Sequence, residues 1–533
     1  MLVPRTRKMT TDNALCRFPL HLTISSGNPY AEKLCRLLPL FLPEATVSAA
    51  EDAIISLSET PDLAPEAYRL TVRENRITAE AADYGGFRNA MATLSCLAET
   101  AEGGYVLHAV TIEDHPAAKF RSFMLDLCRG MKDFDTVCMD LILCAKARLN
   151  HVHLHLFDSL GCCMELDCLP ASALWDGCYS KAQIRHLVDL ADVLGLELIP
   201  EFDMPGHSSK LLNAKPDFRC VIPEGMHRSD WSICPSADGI DVFYDAVIQE
   251  LVSLFPGKYL HLGGDELDFA DLPEINQRCH WDDCETCREY RKNRGLADRQ
   301  EQYYDFILRI YNLVKKTGKT MIIWSDQLDC TRPIPLPRDI LLQFWRIAAP
   351  GRGPYEGCSL DRQLEAGFQA INAYYPQTYV DLEEYASAES LSRWHWTSIP
   401  EVDPSHQDQI IGGEACAWEY GNAAEYSHYD RSLPSAIVLF ADQLWNGSPA
   451  QYSEAYRQAM TRTILGPVTP AGMDLFTCIG SVLPPRSDQL VYAETISAAP
   501  EQVEQILAQL EAHPSPRAKH YLPCLLEAKN FVI

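Results

Sequence analysis

SFMLDLCRGMKDFDTVCMDLILCAKARLNHVHLHLF, residues 122–157, holds two short apolar runs, SFMLDL (122–127) and HVHLHLF (151–157), with a stretch of helical period between them. In DTVCMDLILCAKARLN (135–150), Val137, Leu141, Ala145 and Leu149 recur every four residues, the spacing of one helix face. Strand, helix, strand predicts a βαβ unit with parallel strands. The pattern continues in ELIPEFDM (197–204), KYLHLGG (258–264), KTMIIWSD (319–326), DILLQFW (339–345), FQAINAYY (368–375) and IIGGEACAW (410–418). Helical stretches fall at Lys181 to Leu194, Asp241 to Phe255, Gln300 to Lys316 and Leu433 to Trp445. The crossover between Asp326 and Asp339 holds three prolines and is too short for a full helix. Eight such strands over about 300 residues predict an α/β protein of the (β/α)8 TIM-barrel class. A doubly wound open sheet is the alternative, but no glycine-rich phosphate loop follows the first strand.

Around this barrel, placed at residues 114–450, the chain of 533 residues has room for further units. Residues 18–113 carry strand-like FPLHLTI, YRLTV and ITAEA and a helix from Gly86 to Thr100, which predict a small α/β domain. Residues 1–17 are expected to be a loose N-terminal extension, and 451–533, with TRTIL, EQVEQILAQLEA and AKHYLPCLLEA, a helical C-terminal region. Lys plus Arg total 46 against 73 Asp plus Glu, a net charge of −27. That field repels phosphate backbones and anionic membranes, so neither nucleic acid nor membrane is an expected partner. No stretch approaches the ~18 apolar residues of a membrane span. The start has a basic flank without an apolar core, unlike a secretory signal. Twenty cysteines then read as reduced thiols, and the expected compartment is the cytoplasm.

Active groups of such barrels sit at the C-terminal ends of the strands. Here those ends carry Asp158, then Asp203 to His207, then Gly263-Gly264-Asp265-Glu266, Trp324 with Asp326, Trp345, Tyr374, and Trp418-Glu419. Indole faces pack on the C–H faces of a pyranose, and carboxylates bind its hydroxyls. A carboxyl beside apolar aromatics has a raised pKa and can serve as an acid near neutral pH. Adjacent strand residues point to opposite faces, so Asp265 and Glu266 reach one site only if the backbone turns there. Gly263 and Gly264 make that turn easy. The plain alternatives are an exposed acidic turn and tryptophans that serve only as core.

YLHLGGDEL resembles the catalytic strand of the family-20 glycoside hydrolases, the β-N-acetylhexosaminidases. KFRSFMLDLCRG, ARLNHVHLHLFDSLG, LIPEFDMPGHS, WSD, QFW, YVD and GGEACAW follow the same family's order, and YRLTVRENRITAEAADYGGFRNAMATLSCL resembles its non-catalytic domain. The resemblance covers about residues 18–450. It implies an exo-acting hydrolase of terminal β-linked N-acetylhexosamine in glycans, retaining configuration by substrate-assisted catalysis. It implies Glu266 as general acid and base, and Asp265 as orienter of the acetamido group. It further implies Tyr379 at the acetamido oxygen and Trp324, Trp345 and Trp418 as pocket walls. Arg121, Asp158, Asp381 and Glu419 are implied for ring hydroxyls, His207 as support for the acid, and Trp396 (or Trp394) as pocket lining. No cofactor is expected, and this chemistry needs no metal.

Two departures stand out. The family's Asp-Gln-Gly-Trp-Arg after the second strand is replaced by Ser159-Leu160-Gly161-Cys162-Cys163 after Asp158. The hydroxyl-binding Glu expected two residues past Trp418 is Tyr420, with Glu419 one position early, which leaves gluco versus galacto preference open. An inactive or altered-specificity carbohydrate-binding relative is therefore the competing reading. Another glycosidase and a metal-dependent hydrolase are further alternatives. Cys279, His280, Cys284 and Cys287 have a spacing that suits structural zinc, with Cys162, Cys163, Cys168 and Cys178 as conceivable partners. Reduced thiols in a long loop are the other reading.

Overall fold

The chain opens with a mixed sheet. In the computed structural model, which describes residues 1–267, 278–346, 358–380, 388–419 and 426–466, it comprises β1 (Lys8–Pro19), β2 (His21–Ser25), β3 (Thr46–Ala50), β4 (Ile55–Glu59), β5 (Tyr68–Arg73), β6 (Arg76–Ala81), β7 (Glu99–Ala101) and β8 (Gly104–Asp114). The order is β1-β8-β5-β6-β4-β2-β3, with β7 on β8. Alternation buries Tyr68, Leu70 and Val72 of β5 and Ile77, Ala79 and Ala81 of β6. Helices α1 (Ala31–Phe41) and α2 (Tyr84–Leu97) complete that core.

The first 17 residues are not a loose extension. β1 pairs antiparallel with β8, Lys8 opposite Glu113 and Phe18 opposite Tyr105. Ahead of it Leu2 and Val3 are buried, and Arg5 donates to Asp442 from its backbone N at 2.5 Å and its Nε at 2.7 Å. β1 is an edge strand exposed over its first eight residues, so it lacks the apolar alternation that would reveal it in sequence.

The barrel strands are β9 (Phe120–Asp126), β10 (His151–Asp158), β13 (Glu197–Phe202), β14 (Tyr259–His261), β15 (Thr320–Trp324), β16 (Leu341–Phe344), β17 (Gln369–Asn372) and β18 (Ile410–Ala417); β11 (Gly161–Met164) and β12 (Leu174–Tyr179) are an insertion. The eight are parallel neighbours in chain order, and β18 pairs with β9, Gly412 opposite Phe120, to close the ring. Helices α3 (Phe134–Lys146), α4 (Lys181–Leu194), α5 (Ser209–Ala214), α6 (Ile240–Leu254), α7 (Glu285–Arg294), α8 (Arg299–Lys316), α9 (Leu360–Glu365), α10 (Tyr375–Thr378), α11 (Ala388–Arg393) and α12 (Tyr426–Asn446) lie between and after the strands. Local signals set their ends. Asp133 caps α3 by accepting from the Thr136 N–H, and Ser180 and Gln183 form a capping box on α4, which stops at Gly195 with φ +63°. Between β15 and β16 the chain crosses without a helix. α13 (Glu454–Leu465) follows the barrel; the rest of the expected helical C-terminal region, residues 467–533, lies outside the described residues.

The barrel interior is layered. Phe120, Ile199, Ile322, Leu341 and Ile371 fill its lower end. Above them His153, Glu201, His261, Gln343 and Glu414 form a fully buried polar layer. Three buried arginines join the two domains. Arg88 donates to the Ala145 and Leu149 carbonyls at 3.0 and 2.7 Å, and Arg148 donates to Asp114 at 3.1 Å. Arg121 donates to Glu66 at 2.5 and 3.1 Å.

Candidate active site

The strand β14 ends where its backbone leaves the extended region. Gly263 and Gly264 have φ +63° and +103°, and Glu266 has φ +40°. A Cβ on Gly263 would stand 1.7 Å from Asp203 Oδ1, so only glycine fits. The bend is pinned by Gly264 N–H to the Met204 carbonyl at 2.7 Å and by the Tyr303 hydroxyl to the Gly264 carbonyl at 2.7 Å. It turns two adjacent acids towards one imidazole: His207 Nε2 is 3.6 Å from Asp265 Oδ2 and 3.3 Å from Glu266 Oε2.

The ring of His207 is held from its other side. Its Nδ1 lies 2.9 Å from Asp158 Oδ2, which also accepts from Arg129 Nη2 at 2.8 Å. Burial would neutralise His207, but Asp203, Asp158 and Asp265 outweigh it and hold the imidazole well above its usual range. Burial pushes Asp265 up to about 7, with Asp326 and Glu266 adding to the push and His207 opposing it. Asp326, also raised by burial, accepts from the Glu266 N–H at 3.1 Å and from Trp345 Nε1 at 3.1 Å. Beneath, His153 sits between Glu414 at 2.9 Å and Glu201 at 3.2 Å. Burial alone would lower it, yet the two carboxylates push it up to about 10. Glu201 also accepts from Trp324 Nε1 at 2.8 Å, so the polar layer fixes a wall of the site.

That wall is aromatic. Trp324, Tyr379 and Trp418 pack with Met124, Ala373 and Cys416, and Trp345 closes on them. Trp345 and Tyr379 stack at 6.1 Å with planes 8° apart, and Trp418 lies 5.9 Å from Trp324 and 5.8 Å from Tyr379. The Arg129 guanidinium covers Trp418 at 4.6 Å. Glu419 is buried alongside, its Oε1 3.6 Å from Lys132 Nζ and its N–H donating to Asp126 at 3.0 Å. Asp158, His207, Asp265, Glu266, Trp324, Trp345, Tyr379, Trp418 and Glu419 thus lie on one rim. Asp381 lies outside the described residues.

Two assigned residues are elsewhere. Arg121, at the start of β9, points into the domain junction, where it meets Glu66 and the Ala118 and Arg148 carbonyls. The rim lies at the other end of that strand. Trp396 stacks on His395 and faces Gly447, just past α12, on the side where the strands begin. Trp394 packs on Gly413 and Phe440 behind β18. Two rim residues escaped the sequence reading. Arg129 ends SFMLDLCR, a position readable as the tail of the first strand. Trp231 packs on His207 at 4.3 Å and donates to the Glu266 carbonyl at 2.7 Å from a loop without periodicity. The divergent second loop forms β11, antiparallel to β10, and buries Cys162 and Cys163.

Two family models match the chain: "Glycosyl hydrolase family 20, catalytic domain" over residues 119–448, and "Glycosyl hydrolase family 20, domain 2" over residues 2–115. A beta-hexosaminidase of Akkermansia muciniphila is 29% identical over 398 residues, 70% of this chain and 76% of that protein. One of Porphyromonas gingivalis is 27% identical over 370 residues, 63% of this chain but 44% of that longer relative. Among solved structures, the beta-N-acetylhexosaminidase from Bacteroides fragilis aligns at TM-score 0.73 and 24% identity, covering 87% of this chain and 95% of the other. An exo beta-N-acetylglucosaminidase from Vibrio harveyi in complex with N-acetylglucosamine aligns at 0.71 and 21%, covering 87% and 76%. These likenesses are of fold.

Proposed function

The chain belongs to glycosyl hydrolase family 20, the β-hexosaminidases, and from that membership we propose that it removes terminal β-linked N-acetylhexosamine from the non-reducing end of glycans, with retained configuration. The observation that carries this reading is the pairing of Asp265 and Glu266 on His207 beside the box of Trp324, Trp345, Tyr379 and Trp418. A box of that kind suits an acetamido group, and a paired acid suits a leaving oxygen. The acetamido oxygen of the substrate attacks C1 as Glu266 gives its proton to the glycosidic oxygen. The C1–O bond breaks and an oxazoline forms. Asp265 carries the charge developing on the acetamido nitrogen, and Tyr379 donates to its oxygen. Glu266, now a carboxylate, takes a proton from water. That water attacks C1 from the face the leaving group vacated and reopens the ring.

A binding protein would have no use for an acid on a fixed imidazole, so the inactive-relative reading is not favoured. Hydrolysis of aryl β-N-acetylglucosaminide, β-N-acetylgalactosaminide and β-glucoside by purified protein tests the proposal, with NMR of the first sugar released. Activity on at least one N-acetylated substrate, little on the glucoside and the β-anomer first are the expected results. The α-anomer first, or equal activity on the glucoside, overturns the substrate-assisted route.

A further inference from the structure

Four thiols from two distant loops meet behind the catalytic turn. Cys220 and Cys234, with thirteen residues between them, lie between α5 and α6; Cys284 and Cys287 form a Cys-x2-Cys at the start of α7. Their sulfurs all lie within 4.8 Å of one another, and all four residues are buried. Cys234 Sγ is 3.4 Å from Cys287 Sγ and 3.9 Å from Cys284 Sγ. A disulfide brings two sulfurs to about 2.05 Å. Four sulfurs held tetrahedrally at about 2.3 Å from a zinc ion stand about 3.8 Å apart. The observed separations straddle the second figure.

The sequence pattern pointed to half of this set. His280 is not in it: its Nε2 accepts from the Ser229 N–H at 2.9 Å and its Nδ1 lies 3.2 Å from Asp283. Cys279, Cys162, Cys163, Cys168 and Cys178 are outside it as well. The backbone around the four is tied independently. Cys234 N–H donates to the Phe218 carbonyl at 2.8 Å and Glu285 N–H to the Val221 carbonyl at 3.2 Å. From Cys234 the chain leads at once to the active site. Trp281 donates to the Ile233 carbonyl at 2.7 Å, Ser232 to the Leu267 carbonyl at 2.7 Å, and Trp231 to that of Glu266.

We propose that Cys220, Cys234, Cys284 and Cys287 bind one zinc ion in a closed tetrathiolate site. With four protein ligands the ion has no open position, so its part is structural. It clamps the loop that carries His207 and Trp231 to the segment that follows Glu266, and so positions the acid without touching substrate. The site stands apart from the proposed reaction and does not depend on it.

The test uses the full chain, purified without chelator, with metal content measured by inductively coupled plasma mass spectrometry. One zinc per chain is expected, released by a mercurial titrant. Cobalt(II) exchange is expected to give the visible bands of a tetrahedral tetrathiolate centre. Cys284→Ser/Cys287→Ser is expected to lose the metal and lower Tm, whereas Cys279→Ser keeps the full complement. If the double variant does not fold, the wild-type stoichiometry and cobalt spectrum decide alone. A chain that neither holds nor takes up zinc or cobalt overturns the proposal. So do disulfide-linked peptides among the four cysteines, iron in place of zinc, or metal loss in Cys279→Ser.

Discussion

Asp265 shows how one side chain's surroundings set a pH profile. Its carboxyl is pushed up to about 7 by burial, while the proposed role needs the carboxylate. As pH falls through about 7 the charged fraction falls, and kcat/KM is expected to drop towards tenfold per pH unit. Asp265→Asn, with no proton to gain, should have much lower activity and lack that limb. A pH–rate profile of both proteins checks this; the same limb in the variant would assign it to another group. The residues of this turn were readable because Gly263-Gly264-Asp265-Glu266 contains both the acids and the means of bending them together. Arg129 and Arg121 show the opposite. Both lie in KFRSFMLDLCRG, and the family resemblance is read as putting Arg121 at the ring hydroxyls, which the structure corrects to Arg129 at the rim. Strand direction gives the reason: Arg121 is the second residue of β9, and Arg129 lies three residues past its last. At the rim Arg129 meets Asp158 and Trp418, whereas at the base Arg121 meets Glu66.

Among the elements, the connection from β13 to α6, with only the short α5 in it, does what no single helix or strand does. It supplies His207, Trp231 and two of the four clustered cysteines. Trp231→Phe would keep a ring on His207 but remove the N–H from the Glu266 carbonyl. Losing a donor to this half-buried carbonyl costs on the order of 1 kcal/mol, and Glu266 sits at a positive φ that its neighbours must hold. We expect kcat to fall several-fold with KM nearly unchanged; a raised KM with intact kcat would mean that Trp231 binds substrate rather than positions the acid. Helices α4, α6 and α8 were visible in sequence to within a residue at each end because each has a long apolar period. The loop was not, because its contacts are set by tertiary partners and it has no period to read. Cys284 and Cys287 announce themselves by spacing, but Cys220 and Cys234 become their partners only once the barrel is built.

For the molecule as a whole, the junction of the two domains depends on charge. Burial would raise Glu66, but Arg121 and Arg88 outweigh it and hold it at about 2. A carboxylate depressed from about 4.3 in the unfolded chain stabilises the fold in full above that value. The contribution, of the order of 3 kcal/mol, is lost as pH falls from about 4.5 to 2. Thermal unfolding of the wild type and Glu66→Gln should therefore differ most at pH 6 and converge towards pH 2; a constant gap would show that Glu66 does not titrate in this window. The barrel was evident from its eight periodic runs, whereas the place of the first residues was not, since their partners lie at the far end of the chain. Arg5 meets Asp442 across 437 positions, and the Val3 carbonyl accepts from Thr463. On the ribosome, residues 3–5 emerge more than 400 residues ahead of the partners that seat them. A nascent chain released short of α12 therefore lacks both the carboxylate that holds Arg5 and the hydroxyl that holds the Val3 carbonyl.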